Sequence, residues 1–162
     1  MRIRPALDAD LDAILAIHND AILNSPAIWD HTIVDRAERE RWMAERLDAG
    51  HPVLVVDDGG EVVGYGSYAP WRWKYGYRNT VEDTIYLGAS HQGRGIGKLL
   101  LTELIDHARA AGHHVMLADI ESSNAASIAL HLNLGFEEVA RLEEIGQKFD
   151  RWLDLTILRL AL

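Results

Sequence analysis

The chain of 162 residues lacks cysteine, and it also lacks any apolar run long enough to cross a membrane. Without cysteine there is no disulfide framework, no thiolate metal site and no catalytic thiol. A membrane span needs about 18 consecutive apolar residues, so no membrane partner is expected. The N-terminal segment, Met-Arg-Ile-Arg-Pro, has no apolar core of the kind that secretory signals carry. We therefore expect a cytoplasmic protein.

Positive charge is scarce, because 16 Lys and Arg face 25 Asp and Glu and leave a net charge of −9. An acidic surface repels phosphate backbones, so no nucleic acid partner is expected. Any site for an anionic cofactor must be built locally, from backbone amides and a few cations. The histidines show no His-Glu-x-x-His spacing, and adjacent His113 and His114 would point to opposite faces of a strand. No metal site is predicted.

The length fits one domain spanning residues 1–162. Apolar periodicity predicts the order β-α-α-β-β-β-α-β-α-β-β. This order indicates an α/β (α+β) fold, a mixed sheet of about seven strands flanked by about four helices. A strand–helix–strand unit over residues 80–120 implies one parallel strand pair. Strands are expected at about 2–4, 52–56, 61–69, 80–87, 114–120, 136–144 and 151–160, and helices after residue 8 and at about 35–49, 95–111 and 125–132.

Two local features of the first helices follow from their composition. Asp8 or Asp10 is the expected N-cap of the first helix, since aspartate accepts from free helix amides. In the second helix, Trp42, Met43 and Leu47 are expected on the inner face.

A glycine-rich turn follows the strand at 80–87 and opens the helix at 95–111, with the sequence Gln92-Gly93-Arg94-Gly95-Ile96-Gly97. Alternating glycines allow close approach of a ligand to the backbone, and free amides at a helix start attract anions. Arg94 and Lys98 add positive charge, so the turn predicts a pyrophosphate site. A tight strand-to-helix connection is the simpler alternative. The P-loop pattern fails, because Leu99 follows Lys98 where Ser or Thr is required.

This turn is similar to the acetyl-CoA pyrophosphate loop of the GNAT family of N-acetyltransferases. Residues 124–136, Asn-Ala-Ala-Ser-Ile-Ala-Leu-His-Leu-Asn-Leu-Gly-Phe, resemble the second cofactor segment of that family, at its usual separation. The element order resembles the family over residues 1–162, which implies the GNAT acyl-CoA N-acyltransferase fold with acetyl-CoA as co-substrate. The cofactor contacts that the resemblance implies are Ile85, Tyr86, Leu87, Gln92, Gly93, Arg94, Gly95, Ile96, Gly97, Lys98 and Asn124.

A narrower resemblance comes from Trp71-Arg72 and from residues 77–82 and 146–154, which look like the phosphinothricin and methionine sulfoximine acetyltransferases. It implies acetylation of the α-amine of a small amino acid or analogue, a role in detoxification, and a homodimer. The wider family often has Tyr where this chain has His131, whereas the subgroup is similar to this chain in having His.

Acetyl transfer requires an amine without its extra proton, a polarised thioester and a protonated leaving thiolate. Glu82 is our candidate general base, because a carboxylate is disfavoured within a strand and invites a functional explanation. Period two places it on one strand face with Thr84 and Tyr86. His131 is the candidate for protonating the thiolate. Glu82 as an exposed edge carboxylate and His131 as a surface or cofactor-positioning histidine remain alternatives.

The substrate-binding candidates are Arg72, Trp73, Lys74, Glu82, Asp83 and Thr84. Arg72 offers a planar fork that matches a carboxylate or phosphinate. Residues 65–77 hold six aromatic side chains, so this segment is either a pocket wall, a dimer patch or both. Alternative functions are acetylation of another amine, such as a polyamine, an aminoglycoside or a protein N-terminus, and a non-catalytic acetyl-CoA sensor.

Overall fold

The computed structural model describes all residues from 1 to 162, and its element order is the predicted one. Three short 3₁₀ turns are added to it. The strands are β1 (Arg2–Pro5), β2 (Val53–Asp58), β3 (Glu61–Pro70), β4 (Thr80–Leu87), β5 (Val115–Glu121), β6 (Glu137–Lys148) and β7 (Arg151–Ala161). The helices are α1 (Leu11–Asn24), α2 (Arg36–Asp48), α3 (Ile96–Ala110) and α4 (Ala125–Leu132).

The seven strands form one sheet in the order β1-β2-β3-β4-β5-β7-β6. Every neighbouring pair is antiparallel except β4 and β5, which are parallel and are connected through α3. The mixed sheet of seven strands and four helices that the sequence predicts is thereby confirmed. The hairpin between β2 and β3 turns at Gly59 and Gly60, both with positive φ.

The two faces of the sheet are covered by different helices, because alternate strand residues point in opposite directions. On one face, Leu11 and Ile14 of α1 and Met43 of α2 pack with strand residues such as Tyr65. On the other face, α3 buries a stripe of apolar residues, and Leu104 packs against Val81. The stripe consists of Ile96, Leu100, Leu104 and Ala108. Strand β4 lies between these two layers, so its alternate side chains reach both.

Two local expectations about the first helices were wrong in part. Asp10 occupies the N-cap position of α1, as predicted, but its carboxylate makes no hydrogen bond to the helix amides; it accepts from the amide of Leu7 and from the guanidinium of Arg4, which fix the preceding turn. Leu47 is 50% exposed at the end of α2 rather than inside. Asp35 does cap α2, since its side chain accepts from the amide of Glu38. No helix of the structure is both long and apolar enough to cross a membrane.

Candidate active site

The centre of the sheet opens where β4 and β5 separate. These parallel strands pair only through Thr80, Val81 and Glu82, opposite residues 115–117 of β5. Beyond Glu82, β4 continues to Leu87 but pairs with β3 alone. Backbone groups on the β5 side of this stretch are therefore free to bind a ligand, since each strand residue carries one donor and one acceptor.

The gap between the two strands forms part of a cavity of about 280 Å³. It is bounded by β4, by β5, by the start of α4 and by the segment that follows α1. Seven of the site residues expected from the sequence line it, namely Glu82, Asp83, Thr84, Ile85, Tyr86, Asn124 and His131. The remaining lining residues are Ala27, Ile28, Trp29, Ala118, Asp119, Ile120, Glu121 and Ser127.

Glu82 lies in the cavity on the side of the sheet that α1 and α2 cover. Burial raises the pKa of Glu82 to about 7, and the carboxylates of Asp119 and Asp83 add to the rise while Arg46 opposes it. A carboxylate that titrates near neutral pH is suited to accept a proton from an amine. Its neighbour Asp119 also has a raised pKa, first because of burial, and one of its oxygens is buried without a hydrogen-bond partner.

Asp83 and His131 form a buried pair on the opposite side of β4. Nε2 of His131 lies 3.2 Å from Oδ2 of Asp83, and both side chains are 2% exposed. Nδ1 of His131 lies 2.7 Å from the carbonyl of Ser127, so both ring nitrogens face acceptors. Burial alone lowers the pKa of His131, but the hydrogen bond and charge of Asp83 outweigh it and raise the pKa. This environment favours the doubly protonated imidazolium.

The glycine-rich turn lies at the start of α3, where no side chain caps the helix. Gly93 and Gly95 have φ of 72° and 78°, in the left-handed region, and a Cβ on either would meet only open space. Arg94 and Lys98 are exposed beside them. Uncapped amides, an open approach and two cations suit the pyrophosphate of acetyl-CoA. Gly97 is different, because a Cβ there would lie 3.0 Å from Leu130, so it allows α3 to pack against α4.

Asn124 lies where β5 gives way to α4. Its side-chain oxygen accepts from the amide of Ser127 and so caps α4, while the residue also lines the cavity. The nearby carboxylate of Glu121 accepts from the amide and the hydroxyl of Ser123. These hydrogen bonds hold the start of α4 beside the opening, with His131 on the last turn of the helix.

Arg72, Trp73 and Lys74 lie on the loop after β3 and do not line the cavity. The guanidinium of Arg72 stacks on Trp71, 4.1 Å from the ring centre, and its charge lowers the pKa of Asp119 at the cavity wall. Trp73 is 88% exposed and Lys74 lies over its ring. Their assignment to the substrate stays a prediction. Arg72 is linked to the site through its effect on the pKa of Asp119.

Two groups of lining residues were missed by sequence reasoning. Asp119 and Glu121 alternate on β5 with apolar residues, and this alternation is a signal that could have identified them. The segment Ala27–Trp29 has no such signal. It follows the end of α1 without regular structure, and its place in the site depends on distant residues.

A model of the acetyltransferase (GNAT) family matches residues 14–136. The chain is 53% identical over 161 residues to the L-methionine sulfoximine/L-methionine sulfone acetyltransferase of Pseudomonas aeruginosa, covering 99% of this chain and 94% of that one. It is 33% identical to the phosphinothricin N-acetyltransferase of Alcaligenes faecalis, covering 97% and 80%.

Two solved structures have nearly the same backbone. A Salmonella typhimurium protein, solved with its cofactor acetyl-CoA, superposes with a TM-score of 0.98 at 49% identity, covering 99% of this chain and 93% of that chain. The ribosomal-protein-alanine N-acetyltransferase of Brucella melitensis superposes with a TM-score of 0.98 at 49% identity, covering both chains completely.

Proposed function

Since the chain belongs to the GNAT family and is an acetyl-CoA-dependent N-acetyltransferase, we propose that its acceptor is the α-amine of a small amino acid or analogue of the methionine sulfoximine, methionine sulfone or phosphinothricin type. The observation that carries this proposal is the 53% identity, over 99% of the chain, to an enzyme named for the first two of these compounds. Residues 1–162 then act as one N-acetyltransferase domain.

In this proposal Glu82 is the general base. An amino acid carries an ammonium group at neutral pH, and an ammonium has no lone pair with which to attack. Glu82, with its pKa raised to about 7, accepts that proton directly or through a water molecule. The support is its position in the cavity, where burial and the charge of Asp119 make the protonated carboxyl more favourable than on a surface.

Acetyl-CoA supplies a thioester whose carbonyl carbon forms the new C–N bond as the C–S bond breaks. The chain would hold it through the backbone of Ile85, Tyr86 and Leu87 and through the turn from Gln92 to Lys98. The support is the unpaired side of β4 and the uncapped start of α3. Asn124 contributes from the start of α4, where it lines the same cavity.

His131 is the proposed proton donor to the leaving thiolate. The support is that both ring nitrogens face acceptors and that the hydrogen bond and charge of Asp83 raise the pKa of His131, which favours the protonated ring. Asp83 also keeps one oxygen, Oδ1, buried without a hydrogen-bond partner. The pair thus holds a proton at the cavity on the side of β4 opposite Glu82, so that proton removal and proton donation occur on separate faces.

We propose a role in detoxification, because acetylation removes the positive charge of the amine and so changes the chemical identity of an amino acid analogue. We also propose that the enzyme works in the cytoplasm and as a homodimer. Exposed apolar side chains support the dimer: Trp73 and Tyr75 on the loop after β3, and Ile145, Phe149 and Trp152 on the β6–β7 hairpin. Light scattering on the purified protein would measure the mass directly.

The test of the acceptor is CoA release measured with methionine sulfoximine, methionine sulfone, phosphinothricin, a polyamine, an aminoglycoside and a peptide with N-terminal alanine. Turnover confined to the first three is the expected result. Preference for the peptide would favour a protein N-terminus instead, the activity for which the Brucella melitensis protein is named. Acetyl-CoA binding without turnover on any amine would favour a sensor.

A further inference from the structure

One wall of the cavity comes from a segment with no regular structure of its own. Ala27, Ile28 and Trp29 follow the end of α1 and line the same cavity as Glu82. A loop without a hydrogen-bonded ladder depends on contacts from elsewhere to keep one conformation. The contacts that this segment makes therefore decide the shape of the wall.

The first such contact is a buried lysine at the end of β6. Lys148 is 2% exposed, and its ammonium group donates to the carbonyl oxygens of Ile22 at 2.6 Å, Ser25 at 2.8 Å and Ile28 at 2.5 Å. All three ammonium protons are thus used on backbone oxygens. Ile22 lies in the last turn of α1, where carbonyls lack helical partners and a positive charge is favoured. The ammonium joins the helix end to the residue just before Trp29.

The second contact lies two positions earlier on β6, on the same face of the strand. A Cβ built on Gly146 would fall 2.3 Å from two carbons of the Trp29 ring, Cε3 and Cζ3. No real side chain tolerates that separation, so any residue larger than glycine would displace the ring. Gly146 thus permits the observed position of Trp29, and Lys148 holds the backbone that carries it.

We propose that Gly146 and Lys148 are positioning residues that fix Trp29 as the wall against which the side chain of the acceptor packs, and that they thereby set which amines are acetylated. The inference rests on the proposed function for the identity of the acceptor. Trp29 lines the cavity at Glu82, whereas most of the proposed acetyl-CoA contacts, the turn from Gln92 to Lys98, lie at the start of α3. A displaced ring should therefore change acceptor binding far more than acetyl-CoA binding.

The experiment compares Gly146→Ala with Gln147→Ala, its exposed neighbour on the same strand. For Gly146→Ala we expect the KM of the preferred acceptor to rise about tenfold or more, since misplacement of a binding wall by about 1 Å has effects of this size. The KM for acetyl-CoA should stay within about twofold, and the ranking of acceptors of different side-chain size should change. Gln147→Ala should match the parent protein in all three.

A double variant separates this role from a general loss of stability. In Trp29→Ala the ring is gone, so adding Gly146→Ala should change the acceptor KM no further. Lys148→Met should cause the same change in the ranking of acceptors as Gly146→Ala, without changing the KM for acetyl-CoA. The inference is overturned if Gly146→Ala raises both KM values equally, or if it acts as strongly when Trp29 is already alanine.

These measurements use whichever amine the parent protein acetylates best. If that amine is not an amino acid, the proposed acceptor class is wrong, yet the dependence of its KM on Gly146 and Trp29 still decides the positioning role. A parent protein that acetylates methionine sulfone, with Gly146→Ala variants that keep the parent KM and ranking, would support the function and reject the inference.

Discussion

Asp83 and His131 meet 3.2 Å apart inside the protein, across 48 residues of sequence, and they line the same cavity as Glu82. Glu82 and Asp83 are adjacent on β4, so their side chains leave the strand on opposite faces. The separation of β4 from β5 beyond Glu82 lets both faces reach one space. Two carboxylates that are neighbours in the chain are thereby placed in different environments, one beside carboxylates and one beside a histidine.

Replacing Glu82 by Gln should lower kcat by about 10²- to 10⁴-fold, the usual contribution of a general base. The parent kcat/KM should rise as pH increases through about 7, because Glu82 must be ionised to accept a proton. This rise should be lost in the variant, while acetyl-CoA affinity measured by calorimetry should be unchanged.

A second variant, Asp119→Asn, tests the same assignment through the pKa of Glu82. Removal of its charge should lower the pKa of Glu82 and move the rise to lower pH; an unmoved rise would contradict the assignment.

The ionised carboxylate of Glu82 should lower the free energy of unfolding at neutral pH. Its pKa is about 7 in the folded protein against an ordinary value of 4.5, so the folded state holds the proton more tightly than the unfolded state does. Stability should therefore fall as pH rises from about 4.5 to about 7. Glu82→Gln should raise the Tm at pH 8 and raise it less at pH 5. Thermal unfolding measured at both pH values checks this, and an equal change at both would exclude the linkage.

Replacing Asp83 by Asn should lower the pKa of His131, because it removes the charge that favours the imidazolium. If His131 donates a proton, activity falls as pH rises through its pKa, and this decline should move to lower pH in the variant. The pH profile of kcat from 6 to 10 measures the shift. His107→Gln is the control, since His107 pairs with Tyr68 outside the cavity. A decline that stays in place in the Asp83→Asn variant would remove His131 from the proton path.

The sequence predicts some parts of this site much better than others, for physical reasons. The turn at Gly93 and Gly95 could be identified because glycine itself is the signal of a left-handed backbone beside a helix start. The limits of β4 follow from apolar alternation, and they place Glu82 within the strand. Each of these signals lies within a few residues of the feature it predicts.

The wall at Trp29 and the pairing of Asp83 with His131 could not be predicted in this way. Trp29 is positioned by Gly146 and Lys148, more than a hundred residues further along the chain. Such contacts depend on where whole strands come to lie, and local periodicity carries no information about them. A lysine at position 148 looks like any solvated cation until the fold buries it.

Replacing Gly95 by Ala should weaken acetyl-CoA binding specifically. A Cβ at φ 78° strains the backbone by about 1 kcal/mol and changes the amides that open α3. Gly112→Ala is a matched control, since Gly112 has φ 80° and equally open surroundings at the other end of α3. Both variants should lose similar Tm, but only Gly95→Ala should raise the KM for acetyl-CoA. Equal KM values in the two variants would argue against a pyrophosphate role for the turn.

Replacing Arg72 by Ala should raise the KM for an amino acid acceptor about tenfold, with little change in kcat, if its guanidinium attracts the substrate carboxylate from the edge of the site. Arg78→Ala is the matched control on the same loop, because Arg78 stacks on Tyr75 as Arg72 stacks on Trp71, at 4.4 Å and 4.1 Å. The effect should disappear for the amide of the same amino acid, which lacks a carboxylate. If the KM for the amide rises by the same factor, Arg72 acts instead through its effect on the charge of Asp119. Loss of Arg72 would then affect every acceptor alike.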